Sequence, residues 1–392
     1  MKRSGWGSSG ALELGLRVAG FEYHAPEVVV GAGQGLNRFD PRWLWEPRPG
    51  ATADRCGNTI NADGYRGAPH PRTPPPGVLR IATIGDSSTF GLGVCTPQTY
   101  AMQLERHLPR SKVLNFGVIG FTALQGSRLL EGRVLAYQPR VLVAAFGAVN
   151  EAIPALDMDV ETRLARAASV QPWAMRLRDL RIMQLAERWI LPPLPLPGPE
   201  DVVPKGVDSA PNETVDSFAR ALRAIVETSR AHGAEAVLVV PPRRGDYEAK
   251  WATFPAYDAA VRGAAAATGA PLADVHDAFR SDPRGDDVLF VDAVHPSAAG
   301  HELYARVVAD AVRKALLAVA GGTRRGAVAS ASSAGRIASA SSATTAPSRS
   351  PWISYATTIS WLPGGTRSAW KKPPAGTSAA GRPSSVASQP PR

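Results

Sequence analysis

The sequence predicts an α/β fold in which a parallel sheet of about five strands is covered by helices on both faces. Two observations predict it. Short apolar runs alternate with segments of helical periodicity between residues 77 and 320, and 44% of the 392 residues are hydrophobic, enough for a sizeable core. Regular alternation of strand and helix is typical of parallel sheets whose strands are buried on both sides.

Each predicted element corresponds to one segment of this pattern. The predicted strands are the apolar runs 78–84, 112–116, 140–146, 235–240 and 271–275. The predicted helices lie near 98–108, 122–137, 213–232 and 255–268, and a last one runs from about 297 to 319. In that last helix, Tyr304, Val308, Val312 and Ala315 fall on one face.

Three regions interrupt or flank the alternation. Residues 1–76 contain many prolines and are predicted to be an irregular N-terminal extension. Residues 152–212 form an insertion, in which Met175, Ile182, Leu185 and Trp189 share a helical stripe before a segment with seven prolines. We interpret it as a rim insertion, with a cap over the active site and a membrane-surface helix as alternatives. Residues 321–392 are predicted to be a disordered tail.

Most of the net charge of +10 lies in this tail, and a basic segment raises the question of a nucleic-acid partner. Residues 321–392 contain nine Lys or Arg and no acidic residue, and 52 of these 72 residues are Ser, Ala, Gly, Pro or Thr. Residues 1–320 are left with a net charge of +1, and no nucleic-acid-binding motif accompanies the basic residues. We therefore expect no nucleic-acid partner.

Membrane and cysteine signals are weak. No run of 18 or more apolar residues occurs, so no transmembrane segment is predicted, and no signal peptide precedes the first apolar stretch. We expect a cytoplasmic protein, or an extracytoplasmic one if the true start lies upstream. Cys56 and Cys95 are too few for a disulfide framework or a metal-ligand cluster.

Ligands of an open parallel sheet bind beyond the carboxyl ends of its strands, and polar residues follow three of the predicted strands. Gly85-Asp86-Ser87 follows the first, a glycine-rich stretch with Gly120 follows the second, and Asn150 follows the third. Ser87 stands where a helix begins, so backbone N–H groups and the helix dipole would stabilise negative charge there. Each motif alone is also compatible with an ordinary helix cap or turn.

A fourth motif, Asp292-Ala-Val-His295, lies directly before the last helix. An Asp three residues before a His can accept from one ring nitrogen and leave the other to act as a base toward a serine hydroxyl. His276, flanked by Asp274 and Asp277, is the alternative base. His301 is predicted to lie on a helix surface.

In order and context these motifs resemble the SGNH, or GDSL-type, serine hydrolases. The resemblance extends from about Asn61, in Asn-Ala-Asp-Gly-Tyr-Arg-Gly, through the last helix. It implies a three-layer, flavodoxin-like α/β/α sandwich. It also implies Ser87 as nucleophile, His295 as base, Asp292 as its orienting carboxylate, and an oxyanion hole made by Ser87, Gly120 and Asn150.

One block departs from the family pattern, which reads Gly-x-Asn-Asp. Here either Ala148 occupies the glycine position or Gly147 is one residue out of register with Asn150, and Glu151 replaces the aspartate. The residues before the fold, Ala11 to Tyr23, resemble the segment that follows a membrane anchor in relatives.

The resemblance implies an esterase or acylhydrolase that cleaves a carboxylic ester, O-acetyl groups on a carbohydrate or lipid among its possible substrates. The alternatives are an acyltransferase onto a polysaccharide and a non-catalytic carbohydrate- or partner-binding module. No metal or organic cofactor is implied, and the expected partner is a small-molecule or carbohydrate ester.

Overall fold

Residues 79–274 supply a five-stranded parallel sheet. The computed structural model describes residues 5–21, 36–155, 159–168, 180–190 and 210–334. The sheet strands are β3 (Leu79–Gly85), β4 (Ser111–Gly117), β5 (Val141–Ala145), β6 (Glu235–Val240) and β7 (Leu272–Asp274). Their order is β4-β3-β5-β6-β7, with every neighbouring pair parallel. This is the flavodoxin-like order, so the predicted fold class is confirmed.

Helices cover both faces of the sheet. Those of eight or more residues that pack on the sheet are α3 (Tyr100–His107), α4 (Ala123–Gly132), α8 (Val215–Ala231), α10 (Phe254–Thr268) and α13 (Ala298–Ala334). The shorter ones are α2 (Ser87–Phe90), α5 (Ala148–Ala152), α9 (Gly245–Glu248), α11 (Val275–Arg280) and α12 (Asp286–Leu289). None of the described helices is both long and apolar enough to span a membrane.

Alternate strand residues point to opposite faces and form two hydrophobic layers. Ala82, Ile84 and Leu114 belong to the layer that contains α4, α8 and α10. Ile81 and Val113 belong to the other layer, which contains α3 and α13. Because both layers are buried, the strands contain few polar residues, which is why their sequence pattern is clear.

The region before the sheet is more ordered than its prolines indicated. It contains α1 (Gly5–Val18) and an antiparallel hairpin of β1 (Asn37–Asp40) and β2 (Leu44–Pro47). Trp43 and Trp45 are buried in the main core, and the Trp45 indole donates a 3.0 Å hydrogen bond to the carbonyl of Ile119. Strands of four residues are too short for a periodic signal, so the pattern did not predict them.

The other boundaries are only partly described. Within the insertion, α6 (Val160–Ala168) and α7 (Arg181–Ile190) are helical, whereas Met175 and the proline-rich segment up to residue 209 lie outside the described residues. The last helix continues to Ala334, beyond the expected end near 319, and residues 335–392 lie outside the description. The division into 1–76, 77–320 and 321–392 stays a prediction.

Candidate active site

Strand β3 leads directly into a tight turn that carries Ser87. Gly85, the last residue of β3, has no room for a side chain, because a Cβ there would lie 2.4 Å from the carbonyl oxygen of Ala145. Asp86 caps α2: its Oδ1 accepts a 2.9 Å hydrogen bond from the Ser88 amide. Ser87 therefore stands at the first position of a helix. Residues 85–91 are called the serine turn.

Ser87, His295 and Asp292 form a chain of hydrogen bonds. His295 Nε2 lies 2.8 Å from Ser87 Oγ, and His295 Nδ1 lies 2.7 Å from Asp292 Oδ2. Asp292 Oδ1 also accepts bonds of 2.9 and 2.8 Å from the amides of Val294 and His295, which close the turn. With Nδ1 donating to Asp292, Nε2 is left to accept the Ser87 proton.

Two features keep residues 292–295, called the histidine turn, in place. The Val291 amide donates a 2.9 Å hydrogen bond to the carbonyl of His295, and Phe290 pairs with Pro296 in an antiparallel bridge. Burial raises the pKa of Asp292, but the hydrogen bond and charge of His295, with the two turn amides, outweigh it and lower the pKa to about 2. Asp292 is therefore ionised at neutral pH and can orient the imidazole.

The glycine loop, residues 117–122, lies beside the serine turn. It is attached through a 2.9 Å bond from the Val118 amide to the carbonyl of Gly85, and Gly120 adopts a left-handed conformation with φ +78°. Asn150, on α5, joins the two segments: its Nδ2 lies 3.2 Å from Asp86 Oδ2 and 3.3 Å from the carbonyl of Phe121. The predicted residues thus meet at the carboxyl edge of the sheet.

The altered third block has a local explanation. Gly147 cannot carry a side chain, because a Cβ would lie 2.8 Å from Cδ of Pro241. The buried Ala148 then begins α5, which places Asn150 on its first turn. The contact with Pro241 therefore explains why residue 147 is a glycine. Asn150 lies one position further from this glycine than in the family pattern.

Two buried glutamates lie behind these loops. Glu151 Oε1 accepts a 3.2 Å bond from the Ala123 amide, and Glu213 Oε2 accepts a 3.3 Å bond from the Leu124 amide, so both cap α4 directly after the glycine loop. Burial raises the pKa of Glu151 well above its ordinary value and that of Glu213 to about 7. Glu213 was missed, because nothing in its sequence context indicates that the end of the insertion returns to the site.

A narrow cleft opens beside the serine turn. Its lining includes Ser87 and Ser88 of α2, Val149 of α5, and Pro242 and Arg243, which follow β6. The enclosed part of this cleft admits one group of about water or methyl size, and the rest of the cleft is open to solvent.

A comparison with protein families shows which family the chain belongs to. The family of GDSL-like lipases/acylhydrolases matches residues 83–303, more than half of the chain. The chain belongs to this family. It is a hydrolase that acts on ester bonds, as the resemblance implied. The match begins within β3 and contains all five predicted site residues.

Among solved structures, this GDSL-like hydrolase is similar to a lipase/acylhydrolase from Enterococcus faecalis. It is 19% identical and covers 60% of this chain and 96% of its own, with a TM-score of 0.41. The acetylxylan esterase Axe2 from Geobacillus stearothermophilus is also 19% identical and covers 60% of this chain and 94% of its own, with a TM-score of 0.39. A comparison with curated proteins found no match.

The alternative base, His276, is engaged elsewhere in this GDSL-like hydrolase. Its Nε2 lies 2.9 Å from Glu248 Oε2. Glu248 also accepts a 3.0 Å bond from Arg243, which bonds Asp258 at 3.1 and 2.5 Å. Glu248, Asp258 and His276 lie close enough to share a cation, but an arginine already balances the carboxylates there. The geometry therefore favours His295.

The prediction for His301 was wrong. His301 is fully buried, and its Nδ1 accepts a 3.1 Å bond from the Tyr100 amide. Burial lowers its pKa to about 3, so the ring is neutral. The helix that carries His301 packs against α3, and this contact between segments about 200 residues apart is invisible in the local pattern.

The two cysteines also differ from expectation. Cys56 and Cys95, which gave no disulfide signal, are joined in a disulfide with a Cα–Cα distance of 5.7 Å. It links the segment before the sheet to the loop that follows the serine turn. The pairing depends on how these two segments pack, which spacing alone does not reveal.

Proposed function

We propose that this GDSL-like hydrolase is a serine esterase in which Ser87 attacks the carbonyl carbon of a carboxylic ester. The observation that carries the proposal is the hydrogen-bonded chain Ser87 Oγ, His295 Nε2 and Asp292 Oδ2, with links of 2.8 and 2.7 Å. These distances lie within the hydrogen-bond reach that a nucleophile and its base require.

The proposed reaction has two halves. In the first, His295 takes the Ser87 proton as Oγ bonds to the carbonyl carbon, then gives that proton to the alcohol oxygen as the ester bond breaks. In the second, His295 takes a proton from water, the resulting hydroxide displaces Ser87, and the serine oxygen is reprotonated. Asp292 remains ionised throughout and orients the ring.

The tetrahedral oxyanion would bind between the serine turn and the glycine loop. The amides of Ser87 and Gly120 and the side-chain amide of Asn150 are the proposed donors, because all three belong to segments at this edge of the sheet. Asn150 Nδ2 already donates to Asp86 and to the carbonyl of Phe121, so one of these two bonds must be exchanged for the bond to the oxyanion. The Ser87 amide also lies at the N-terminus of α2, where the helix dipole favours negative charge.

The small cleft favours a short acyl group. An acetyl methyl is about the size of the single group that the enclosed part of the cleft admits, whereas a longer chain would have to extend past Val149, Pro242 or Arg243 toward solvent. Arg243 is 2% exposed and held by Asp258 and Glu248, so it is not expected to swing away. We infer that acetyl esters, such as O-acetyl groups on a carbohydrate, are preferred.

A fluorophosphonate probe tests the central proposal. Wild type should be labelled covalently, Ser87→Ala should not, and Ser88→Ala, the matched neighbour, should still be labelled. Labelling that survives in Ser87→Ala and disappears in Ser88→Ala would move the nucleophile by one residue. Absence of labelling in a folded wild type would favour the non-catalytic module.

A series of p-nitrophenyl esters tests the acyl size. We expect kcat/KM for the acetate to exceed that for the octanoate by at least about tenfold, since each misplaced methylene costs on the order of 1 kcal/mol or more. Val149→Ala should narrow this difference. Equal rates for the two esters would contradict the short-acyl inference, and faster product formation with an added sugar acceptor would favour acyl transfer.

A further inference from the structure

The segment before the sheet contacts the back of the serine turn. An antiparallel bridge joins Arg66 to Asn115 of β4, and the Asn115 side chain donates a 2.9 Å bond to the carbonyl of Thr89 in α2. Arg66 is the arginine of the Asn-Ala-Asp-Gly-Tyr-Arg-Gly motif. It lies outside the residues that match the family, and the proposed mechanism gives it no part.

Every donor of the Arg66 guanidinium is used. Nη1 donates bonds of 2.7 Å to the carbonyls of both Phe90 and Gly91, the last residues of the serine turn. Nη2 donates a 2.7 Å bond to the carbonyl of Val94, and Nε donates a 3.0 Å bond to Thr96 Oγ1. One fully buried side chain thus donates to four residues between Phe90 and Thr96, in the chain that follows Ser87.

Asp54 provides the counter-charge and a second set of bonds. Its Oδ2 accepts 2.7 Å bonds from Arg66 Nη2 and the Thr96 amide, and a 2.8 Å bond from Thr96 Oγ1. Burial acts against its charge, but the bonds from Thr96, Asn58 and Arg66 hold the pKa of Asp54 well below its usual range. The pair is therefore ionised and hydrogen-bonded on both sides, as a buried ion pair requires.

The serine turn needs such support because α2 has only four residues. A helix this short satisfies few of its own carbonyl groups, and its C-terminal carbonyls must find donors elsewhere. A cation at that end also complements the helix dipole. Both Ser87 Oγ and the Ser87 amide are carried on this helix, and a displacement of about 1 Å can cost about 10²-fold in rate.

We propose that Arg66, held by Asp54, is a positioning residue that fixes the serine turn in its reactive geometry. The inference rests on the proposed role of Ser87 and assigns a function to the motif before the sheet. Arg66 does not touch the substrate. It should therefore affect the rate of attack and leave substrate binding nearly unchanged. The Cys56–Cys95 disulfide joins the same two segments and reinforces the contact.

Arg66→Lys tests the proposal, with Arg80→Lys as the matched control. A lysine keeps the charge but cannot reach the carbonyls of Phe90, Gly91 and Val94 together. Arg80 is equally buried and also bonds two carbonyls, those of Pro71 and Tyr137, but its own strand, β3, reaches the serine turn only five residues later. Both variants should lose stability.

Only Arg66→Lys should lose activity. We expect its kcat for p-nitrophenyl acetate and its rate of fluorophosphonate labelling to fall about 10²-fold, with KM changed less than threefold, at a temperature where circular dichroism shows it folded. Arg80→Lys should stay within about threefold of wild type in both. Equal losses in the two variants would overturn the proposal, because a general loss of stability would then explain them.

A milder variant keeps the test decisive if Arg66→Lys does not fold. Thr96→Val is nearly isosteric and removes the hydroxyl that accepts from Arg66 and donates to Asp54. We expect a fivefold or greater loss in kcat with KM unchanged, and a loss below twofold in the folded variant would overturn the proposal. Labelling of the wild type separates failure of the Arg66 proposal from failure of the proposed function. A folded wild type that is not labelled contradicts the serine mechanism itself.

Discussion

Replacement of Glu213 by glutamine should remove a large part of the pH dependence of stability. Glu213 is 1% exposed, and burial raises its pKa from 4.5 to about 7. When folding raises the pKa of a carboxyl group, ionisation of that group destabilises the folded state relative to the unfolded state. Its penalty is absent below the unfolded pKa, grows as the pH rises from about 4.5 to 7, and is constant above that.

The size of the effect follows from the two pKa values. A difference of about 2.5 units corresponds to about 3.4 kcal/mol when the group is fully ionised, of which about 2.5 kcal/mol develops between pH 5 and pH 8. Protonated glutamate and glutamine are both neutral, so Glu213→Gln should exceed wild type in free energy of unfolding by only about 0.8 kcal/mol at pH 5. At pH 8 the excess should reach about 3.3 kcal/mol.

Urea unfolding of both proteins at pH 5, 6, 7 and 8 measures this difference. Glu227→Gln is the matched control, since Glu227 is exposed on the same helix, α8, and its loss changes the net charge equally. Because the charge of Glu213 also raises the pKa of Glu151, the measured value belongs to the pair. Wild type and Glu213→Gln curves that stay parallel from pH 5 to 8 would refute the reasoning.

Three further outcomes are expected. Asn150→Ala should lower kcat by about 10²–10³-fold in steady-state kinetics, with KM little changed, because a donor to the oxyanion acts mainly in the transition state. A loss in kcat of less than about threefold would show that Asn150 serves packing alone. His295→Ala should lower kcat by several orders of magnitude and His276→Ala by little, and the reverse ranking would identify His276 as the base. Cys56→Ser should lower the free energy of unfolding by up to about 4 kcal/mol, since the Cys56–Cys95 bond closes a loop with a sequence separation of 39; equal urea midpoints with and without the bond would contradict this.

The parts of the fold that the sequence predicted are those with strong local signals. The five sheet strands are buried on both faces, so their apolar runs stand out, and alternation with helices restricts the topology to a few solutions. Ser87, Gly120, Asn150, Asp292 and His295 were predicted because each follows or precedes such an element. The ends of parallel strands meet at one edge of the sheet, which predicted that Ser87, Gly120 and Asn150 lie near one another. The resemblance to the SGNH hydrolases, and not this pattern alone, implied the role of each residue and joined Asp292 and His295 to them.

The parts that were missed depend on contacts between distant segments. Glu213 reaches α4 only because the insertion returns beside the glycine loop. His301 is buried because the last helix packs on α3. Cys56 meets Cys95 because Arg66 and Asp54 bring their segments together. In each case the residue type is compatible with both the predicted and the observed environment. Only the packing of distant segments decides between the two environments.

The site is held from behind by segments that lie outside its own motifs. Arg66 binds the C-terminal end of the serine turn, Glu151 and Glu213 cap the helix after the glycine loop, and the Phe290–Pro296 bridge supports the histidine turn. Each support binds backbone groups, so it constrains loop position without using the side chains proposed to be catalytic. A loop beyond the edge of the sheet has no strand pairing to fix its position. A site built on such loops needs other contacts to hold it, and the proposed positioning role of Arg66, which precedes the family match, is one of these contacts.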